Sequence, residues 1–230
     1  MISDYQRIWR CVRIIPVEAK AGMLYAPLTI STFHITFFSD YNTASMPTAN
    51  EFLISVDIET AGPYPGDYSL LSIGACTLEE PRQTFYIELK PIHPALTDEA
   101  FEIHGLSLAK LELRGIPPQE AMQRFADWLA EVTPAGHKPV MFAFNAPFDW
   151  MFVCDYFHRC LGWNPFGHTA LDIKAYSMGK WDSTWAETSM RAIAKRFPDI
   201  PALSHNALDD AINQASLFCR IRDAQEKLAG

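Results

Sequence analysis

Hydrophobic and polar residues alternate with a period of two over residues 52–58, and this pattern predicts a β-strand. Similar stretches predict strands at 69–77 and 83–89, and glycine and proline residues mark the turn after the first strand. A continuous apolar run at 140–144 predicts a buried strand, and a short strand is expected near 168–172. Three consecutive strands are therefore followed by two more, which are separated by helical segments.

Apolar residues spaced three and four apart predict helices, most strongly in the second half of the chain. The predicted helices span 97–103, 118–132, 146–160, 173–179, 186–196 and 207–228. Three strands followed by alternating helices and strands predict an α/β fold with a mixed central β-sheet flanked by α-helices.

The first 45 residues differ from the rest of the chain. Residues 25–38 have the composition of a strand but no partner signal, and Met46 opens a segment that leads directly into the first clear strand. We predict that residues 1–45 are an N-terminal extension, either poorly ordered or the result of a mis-assigned start upstream of Met46. Residues 46–230 are predicted to form a single domain.

Composition changes this picture little. The chain has 230 residues, of which 49% are hydrophobic and 20% charged, and its net charge of −8 disfavours a protein that coats long stretches of duplex. The 5 cysteines show no zinc-like spacing and indicate free thiols in a reducing compartment. Because the sequence has neither an apolar stretch long enough to span a membrane nor a clear signal peptide, we expect a cytoplasmic protein.

The stretch SVDIET, residues 55–60, places Asp57 and Glu59 on the same face of the first strand. Two like charges at this spacing repel, and strands disfavour both residue types. By pattern alone, a half-solvated strand face and a functional site are equally good interpretations. The position of the pair at the end of the strand, before a turn, favours a site.

The stretch FNAPFD, residues 144–149, has a complete structural explanation. Asn145 is predicted to cap the following helix, Pro147 suits its first turn, and Asp149 lies near the positive end of the helix dipole. Only its location at the end of a strand indicates a function.

The stretch SHNALDDA, residues 204–211, can be explained in the same way. Asn206 is predicted to cap the last helix, and Asp209 and Asp210 lie in its first turn. His205 precedes the helix, where a histidine is more often a loop or capping residue than a catalyst.

The three stretches together favour a common function. If Asp57, Glu59, Asp149 and Asp210 converge, divalent cations explain why, since Mg²⁺ prefers carboxylate oxygens. Two cations roughly 4 Å apart suit phosphodiester displacement. His205 would then lie where it can take a proton from the attacking water.

These three stretches resemble, in order and spacing, the three motifs of the DEDDh 3′–5′ exonucleases, the DnaQ-like group of the ribonuclease H-like superfamily. The resemblance extends from Phe52 to the last helix. It implies a ribonuclease H-like fold and a 3′–5′ exonuclease that releases nucleoside 5′-monophosphates from single-stranded 3′ ends. It also implies two Mg²⁺ or Mn²⁺ ions in each site.

The resemblance also assigns roles to individual residues. The matched catalytic residues are Asp57, Glu59, Asp149, Asp210 and His205. The first two and Asp210 would bind the metal ions directly, Asp149 would contribute through water or to one ion, and His205 would be the general base. Asp209 competes with Asp210, and the spacing from the histidine favours Asp210.

Three residues are predicted to contact the substrate. The resemblance implies that the terminal nucleotide lies near Thr60, and Asn145 and Phe148 are predicted as further contacts. Phe148 or Trp150 could stack on a base, although core packing is the better interpretation for at least one of them.

Three other features are interpreted mainly as structural. His104 lies in a family-like IHG stretch, and a structural role is favoured for it. For Asp172, at a strand end, support of the site and a solvated turn are equally good interpretations. The basic residues Arg191, Lys195 and Arg196 are expected to form a solvent-exposed helix face.

Two alternatives from other classes stay open: a non-catalytic module that binds nucleic-acid ends or a polymerase, and a hydrolase of small phosphodiesters. The choice between DNA and RNA is also open, because no motif fixes contacts to the sugar 2′ position. A homodimer or a polymerase partner would fit the resemblance.

Overall fold

A computed structural model of the protein describes residues 50–201 and 204–224. The predictions for residues 1–45 and for Met46 lie outside these residues. The final residues of the predicted last helix, 225–228, lie outside them as well.

Five strands form one mixed sheet in the order β3-β2-β1-β4-β5. They are β1 (Glu51–Thr60), β2 (Leu70–Thr77), β3 (Thr84–Glu88), β4 (Lys138–Ala143) and β5 (Leu171–Asp172). The three consecutive strands pair antiparallel, whereas β4 pairs parallel with both β1 and β5. The carboxyl ends of β1, β4 and β5 therefore lie along one edge of the sheet.

The helices follow the sequence pattern with two differences. They are α1 (Asp98–His104), α2 (Leu108–Arg114), α3 (Pro118–Val132), α4 (Ala146–Leu161), α5 (Ile173–Trp181), α6 (Met190–Ala194) and α7 (Ala207–Asp223), with a 3₁₀ helix at Trp185–Thr188. Helix α2 was not predicted from the sequence. The helix predicted at 186–196 is two pieces, because Ser189 has an extended backbone and its side chain caps α6.

Both faces of the sheet are covered by helices. The even-numbered β1 residues Ile54, Val56 and Ile58 pack in one cluster with buried side chains of α3 and α4. A second cluster joins Phe142 of β4 to residues of α5, α6 and α7, including Phe218. Because side chains alternate along a strand, the odd-numbered residues of β1 point to the side of α7.

Helix α7 lies directly against the sheet at Gly74. This glycine of β2 pairs with Asp57, and a Cβ atom there would lie 2.1 Å from the backbone carbon of Ala207. The helix is also held to β1 by the hydroxyl of Ser55, which donates to the carbonyl of Ala211 at 2.7 Å. A glycine in the strand therefore sets how closely the first turn of α7 approaches β1.

We expect Gly74→Ala to lower the free energy of unfolding by about 1–3 kcal/mol, because the clash is with backbone and no side chain can move to relieve it. Gly179→Ala, in α5, is the matched control, since a Cβ there has nothing within 4 Å and alanine favours a helix. Chemical denaturation measures both. A Gly74→Ala protein as stable as wild type would contradict this account of the α7 contact.

Candidate active site

Three carboxylates meet where β1 ends. Asp57, Glu59 and Asp210 each offer an oxygen, and the three oxygens lie within 4.8 Å of one another. The two β1 residues point toward α7, and Asp210 lies in the first turn of that helix. Glu59 is 8% exposed and Asp210 only 3%, so these charges are largely shielded from water.

Asp210 also organises the loop before α7. Its Oδ1 accepts from the Ser204 backbone N–H at 2.8 Å, and its Oδ2 accepts from the His205 backbone N–H at 2.9 Å. Asp209, the competing residue, is exposed and lies outside the group of three. The structure therefore places Asp210, and not its neighbour, with the β1 carboxylates.

His205 lies in that loop with an exposed side chain. Its φ of 58° is in the left-handed region, which residues other than glycine seldom adopt. Backbone conformations of this kind persist where the surroundings hold them. Here Asp210 accepts the N–H of His205 itself, so one carboxylate both joins the acidic group and holds the histidine loop.

Asp149 is the fourth acid and is 5% exposed in the first turn of α4. Burial raises its pKa well above the usual range, Glu59 and Asp172 raise it further, and hydrogen bonds from the backbone at Asp149 and Ile58 oppose this. Asp149 is not one of the three mutually close carboxylates, but its charge acts on Asp57. It lies beside the group.

Burial and mutual repulsion raise the pKa values of the β1 carboxylates. The pKa of Asp57 is well above its usual range because of burial first, and then because of Asp149, Glu59 and Asp210. Burial and the charge of Asp210 raise the pKa of Glu59 to about 7. Ionising the whole group is unfavourable unless a positive charge joins it, and its all-oxygen donor set suits hard divalent cations.

Gln214, one turn after Asp210, joins the backbone of β1 to the residue that follows β4. It is 3% exposed; its Nε2 donates to the carbonyl of Val56 at 2.8 Å, and its Oε1 accepts from the N–H of Phe144 at 2.7 Å. The β1–β4 ladder ends at Ser55, so Gln214 bonds backbone groups just beyond that ladder. Gln214 was not predicted from the sequence, where the available signal was a polar side chain on the buried face of α7.

Asn145 is the N-cap residue of α4 as predicted, but its side chain does not cap the helix. Its backbone is left-handed, with φ 65°, and its side chain makes no capping hydrogen bond. Asp172 takes over, because its Oδ1 accepts from the Ala146 N–H at 3.2 Å, and it also caps α5. Asp172 therefore supports the site rather than lying in a solvated turn. Asn206 caps α7 as predicted.

A cavity of about 330 Å³ lies beside the carboxylates. The end of β1, the following turn and α1 line it, together with Phe148 of α4. Of the three predicted substrate contacts, Thr60 and Phe148 line this cavity, whereas exposed Asn145 does not. The lining also includes Glu99 and Ile103, which the sequence analysis did not single out because α1 gave only weak periodicity.

His104 has a structural role at the edge of this cavity. Its Nδ1 accepts from the Leu106 N–H at 2.9 Å, so the proton must lie on Nε2, which donates to the carbonyl of Thr60 at 3.1 Å. Burial lowers the pKa of His104, and His205 lowers it further, against the hydrogen bond to Thr60. A neutral, fixed imidazole therefore ties α1 to the end of β1.

The two aromatic residues beside Asp149 and the basic patch complete the predicted features. Phe148 and Trp150 both pack partly against the core, as expected for at least one of them. In the basic patch, the Arg196 guanidinium lies 4.4 Å from the ring centre of Trp181, where it packs on the aromatic ring.

The fold and the site together define a class: an α/β protein in which two carboxylates of β1 lie near one carboxylate from the first turn of α4 and one from the first turn of α7. Residues 54–218 match the model of the RNase_T family, described as Exonuclease. The chain is 45% identical to the 3′–5′ DNA exonuclease Cap18 of Escherichia coli, over 79% of this chain and 97% of that protein. It is 30% identical to ribonuclease T of Vibrio campbellii, over 78% and 89%.

Solved structures share the fold. The nuclease domain of 3′hExo, a DEDDh member bound to rAMP, matches with a TM-score of 0.62 and 15% identity, covering 75% of this chain and 92% of that one. E. coli exonuclease I in complex with a dA16 oligonucleotide matches with a TM-score of 0.59 and 14% identity, covering 75% and 41%. The predicted ribonuclease H-like fold is confirmed.

The chain belongs to the RNase_T exonuclease family. It is a nuclease of the 3′–5′ exonuclease type. The prediction of an enzyme is therefore confirmed. Within the part of the chain that the structure describes, no helix is long and apolar enough to cross a membrane.

The raised pKa of Glu59 predicts how stability depends on pH in metal-free protein. Its pKa rises from 4.5 to about 7 on folding, so its favourable contribution is complete below pH 4.5 and is lost as the pH rises through 7. Wild type should therefore lose stability over this range relative to Glu59→Gln, which cannot ionise. Urea denaturation in EDTA at several pH values measures the difference, and parallel pH profiles would contradict it.

Proposed function

We propose that this exonuclease hydrolyses the 3′ terminal phosphodiester of single-stranded DNA and releases nucleoside 5′-monophosphates, with Asp57, Glu59 and Asp210 as direct metal ligands. The observation that carries this proposal is the convergence of these three carboxylates within 4.8 Å, with buried Asp149 beside them. A pure binding module has no use for such a group, because the unneutralised charges repel one another.

The donor set favours two Mg²⁺ or Mn²⁺ ions. Asp57, Glu59 and Asp210 offer only oxygen ligands, which hard cations prefer over the nitrogen and sulfur ligands of zinc sites. When bound, two such ions supply an activated water and neutralise charge on the leaving oxygen. Asp149, beside the group, would complete the site through water or by binding one ion.

The protein's own groups position and deprotonate the water. The exposed imidazole of His205 takes a proton from the attacking water, whose oxygen forms a bond to phosphorus while the bond to the 3′ oxygen of the preceding nucleotide breaks. Asp210 aids this step because it holds the loop that carries His205. The departing 3′ oxygen takes a proton from solvent.

The cavity beside the carboxylates would hold the terminal nucleotide. Its volume of about 330 Å³ and its apolar lining, with Phe148 and Ile103, suit a base and its sugar, and Glu99 and Thr60 offer polar contacts. DNA is proposed as the substrate because identity to the DNA exonuclease Cap18 is 45%, against 30% for a ribonuclease T.

Replacing Asp210 by Asn should abolish mononucleotide release, whereas replacing its exposed neighbour Asp209 by Asn should not, because only the first lies in the acidic group. Matched 5′-labelled single-stranded DNA and RNA, digested with Mg²⁺ and then with EDTA, provide the measurement. We expect DNA to be degraded faster and EDTA to stop both reactions. Undiminished hydrolysis by folded Asp210→Asn protein would disprove the metal-ligand assignment.

Replacing His205 by Ala should lower kcat about 10²–10⁴-fold, the usual contribution of a general base. Added imidazole should restore part of the lost rate, and the melting temperature should change little because the side chain is exposed. Steady-state kinetics across pH with and without imidazole test the role. Unchanged kcat, or a loss that tracks unfolding, would argue against a general base.

Comparing dinucleotides with longer strands addresses the alternative of a small-phosphodiester hydrolase. A polymer exonuclease should turn over longer strands at least as well as dinucleotides. A cytoplasmic location, a homodimer and a polymerase partner stay predictions from the sequence, and sedimentation at several protein concentrations tests self-association.

A further inference from the structure

A lysine is held on an exposed aromatic ring at the edge of the sheet that carries the active site. The Nζ of Lys174, in the first turn of α5, lies 4.1 Å from the ring centre of Trp185, the first residue of the 3₁₀ helix. The indole is 52% exposed. The negative face of an indole attracts an ammonium group, so the lysine is held in place rather than extended freely into solvent.

This lysine lies beside the nuclease site. Its Nζ donates to Oδ1 of Asn145 at 3.4 Å, and Asn145 is the residue between β4 and the helix that carries Asp149. Lys174 is the second residue after β5, and the ends of β1, β4 and β5 share one edge of the sheet. The cation is thus at the same edge as the acidic group, on the far side of β4 from β1.

In the described part of the chain, Lys174 forms no ion pair with a carboxylate. Its polar partner is a neutral amide. A chain with a net charge of −8 that binds a nucleic acid needs local cations for the phosphates. Here a positive group and an exposed ring face solvent together.

We propose that Lys174 and Trp185 form a second substrate subsite, for the part of the single strand that lies 5′ of the scissile phosphate. This subsite rests on the exonuclease function proposed above. The Lys174 ammonium binds a backbone phosphate upstream of the cleaved linkage, and the exposed Trp185 ring stacks on a base of the same segment. The terminal nucleotide and the upstream strand would then lie on opposite sides of the β4 end.

The first test uses Lys174→Gln, with Lys180→Gln at the other end of α5 as the matched control and Lys174→Arg as the charge-conserving rescue. For a single-stranded oligonucleotide, Lys174→Gln should raise KM about tenfold, which is the lower end of what a hydrogen bond to a charged group contributes. Its plot of log KM against log salt should also be shallower by about 0.7, the loss expected for one phosphate contact. Lys174→Arg should restore both, and Lys180→Gln should change neither.

The second test places one uncharged methylphosphonate linkage at successive positions of the oligonucleotide. At one upstream position the methylphosphonate should raise the KM of wild type. It should have little further effect on the KM of Lys174→Gln, because the two changes remove the same contact. Trp185→Leu should likewise raise KM, with Trp163→Leu, a tryptophan of equal 52% exposure, as its control.

The outcomes separate this subsite from the exonuclease function itself. The subsite is wrong if Lys174→Gln has the same KM, salt slope and methylphosphonate profile as wild type and Lys180→Gln. That result would leave the exonuclease function intact. Failure of wild type to release mononucleotides would instead overturn the function. Anisotropy of a labelled oligonucleotide in Ca²⁺ gives the same comparison for binding, and melting temperatures show that each variant is folded.

Discussion

The close contact between α7 and the sheet at Gly74 is the constraint on which the site depends. Gly74 pairs with Asp57, and its missing side chain lets the backbone of Ala207 lie against β2. Asp210, one turn into the helix, therefore reaches the carboxylates of β1. Any larger residue at Gly74 would move the helix and the third carboxylate away together.

This close packing places negative charges where they are least favourable. Burial raises the pKa of Asp57, and three neighbouring acids raise it further. The surrounding groups stabilise the arrangement without neutralising it: Gln214 bonds the backbone of β1 and β4, and Asp210 accepts from the loop before α7. Cations would supply the charge that the protein lacks, which links stability, pH and metal binding through one set of residues.

Most of the fold could be predicted from local patterns. Helix α3 begins and ends where its periodicity predicts, and the five strands match within a few residues because alternation and buried runs are strong signals. Details that depend on tertiary contacts could not be predicted from local patterns. Ser189 divides one predicted helix by capping the second piece, and Asn145 adopts a left-handed backbone while Asp172, from a different strand, satisfies the helix end.

The site was predictable for a different reason. Each acidic stretch has a sufficient local explanation as a strand face or a helix end, and only the three together match a family. Gln214, Lys174 and Trp185 have no such motif. Their importance comes from partners distant in the sequence, such as the Val56 carbonyl 158 residues from Gln214.

The central claim is that α7 completes a site for two divalent cations. Anomalous diffraction from crystals grown with Mn²⁺ and a nucleoside 5′-monophosphate tests it most directly. We expect two Mn²⁺ peaks among Asp57, Glu59 and Asp210. Ordered crystals with these three side chains in place and no Mn²⁺ among them would contradict the account.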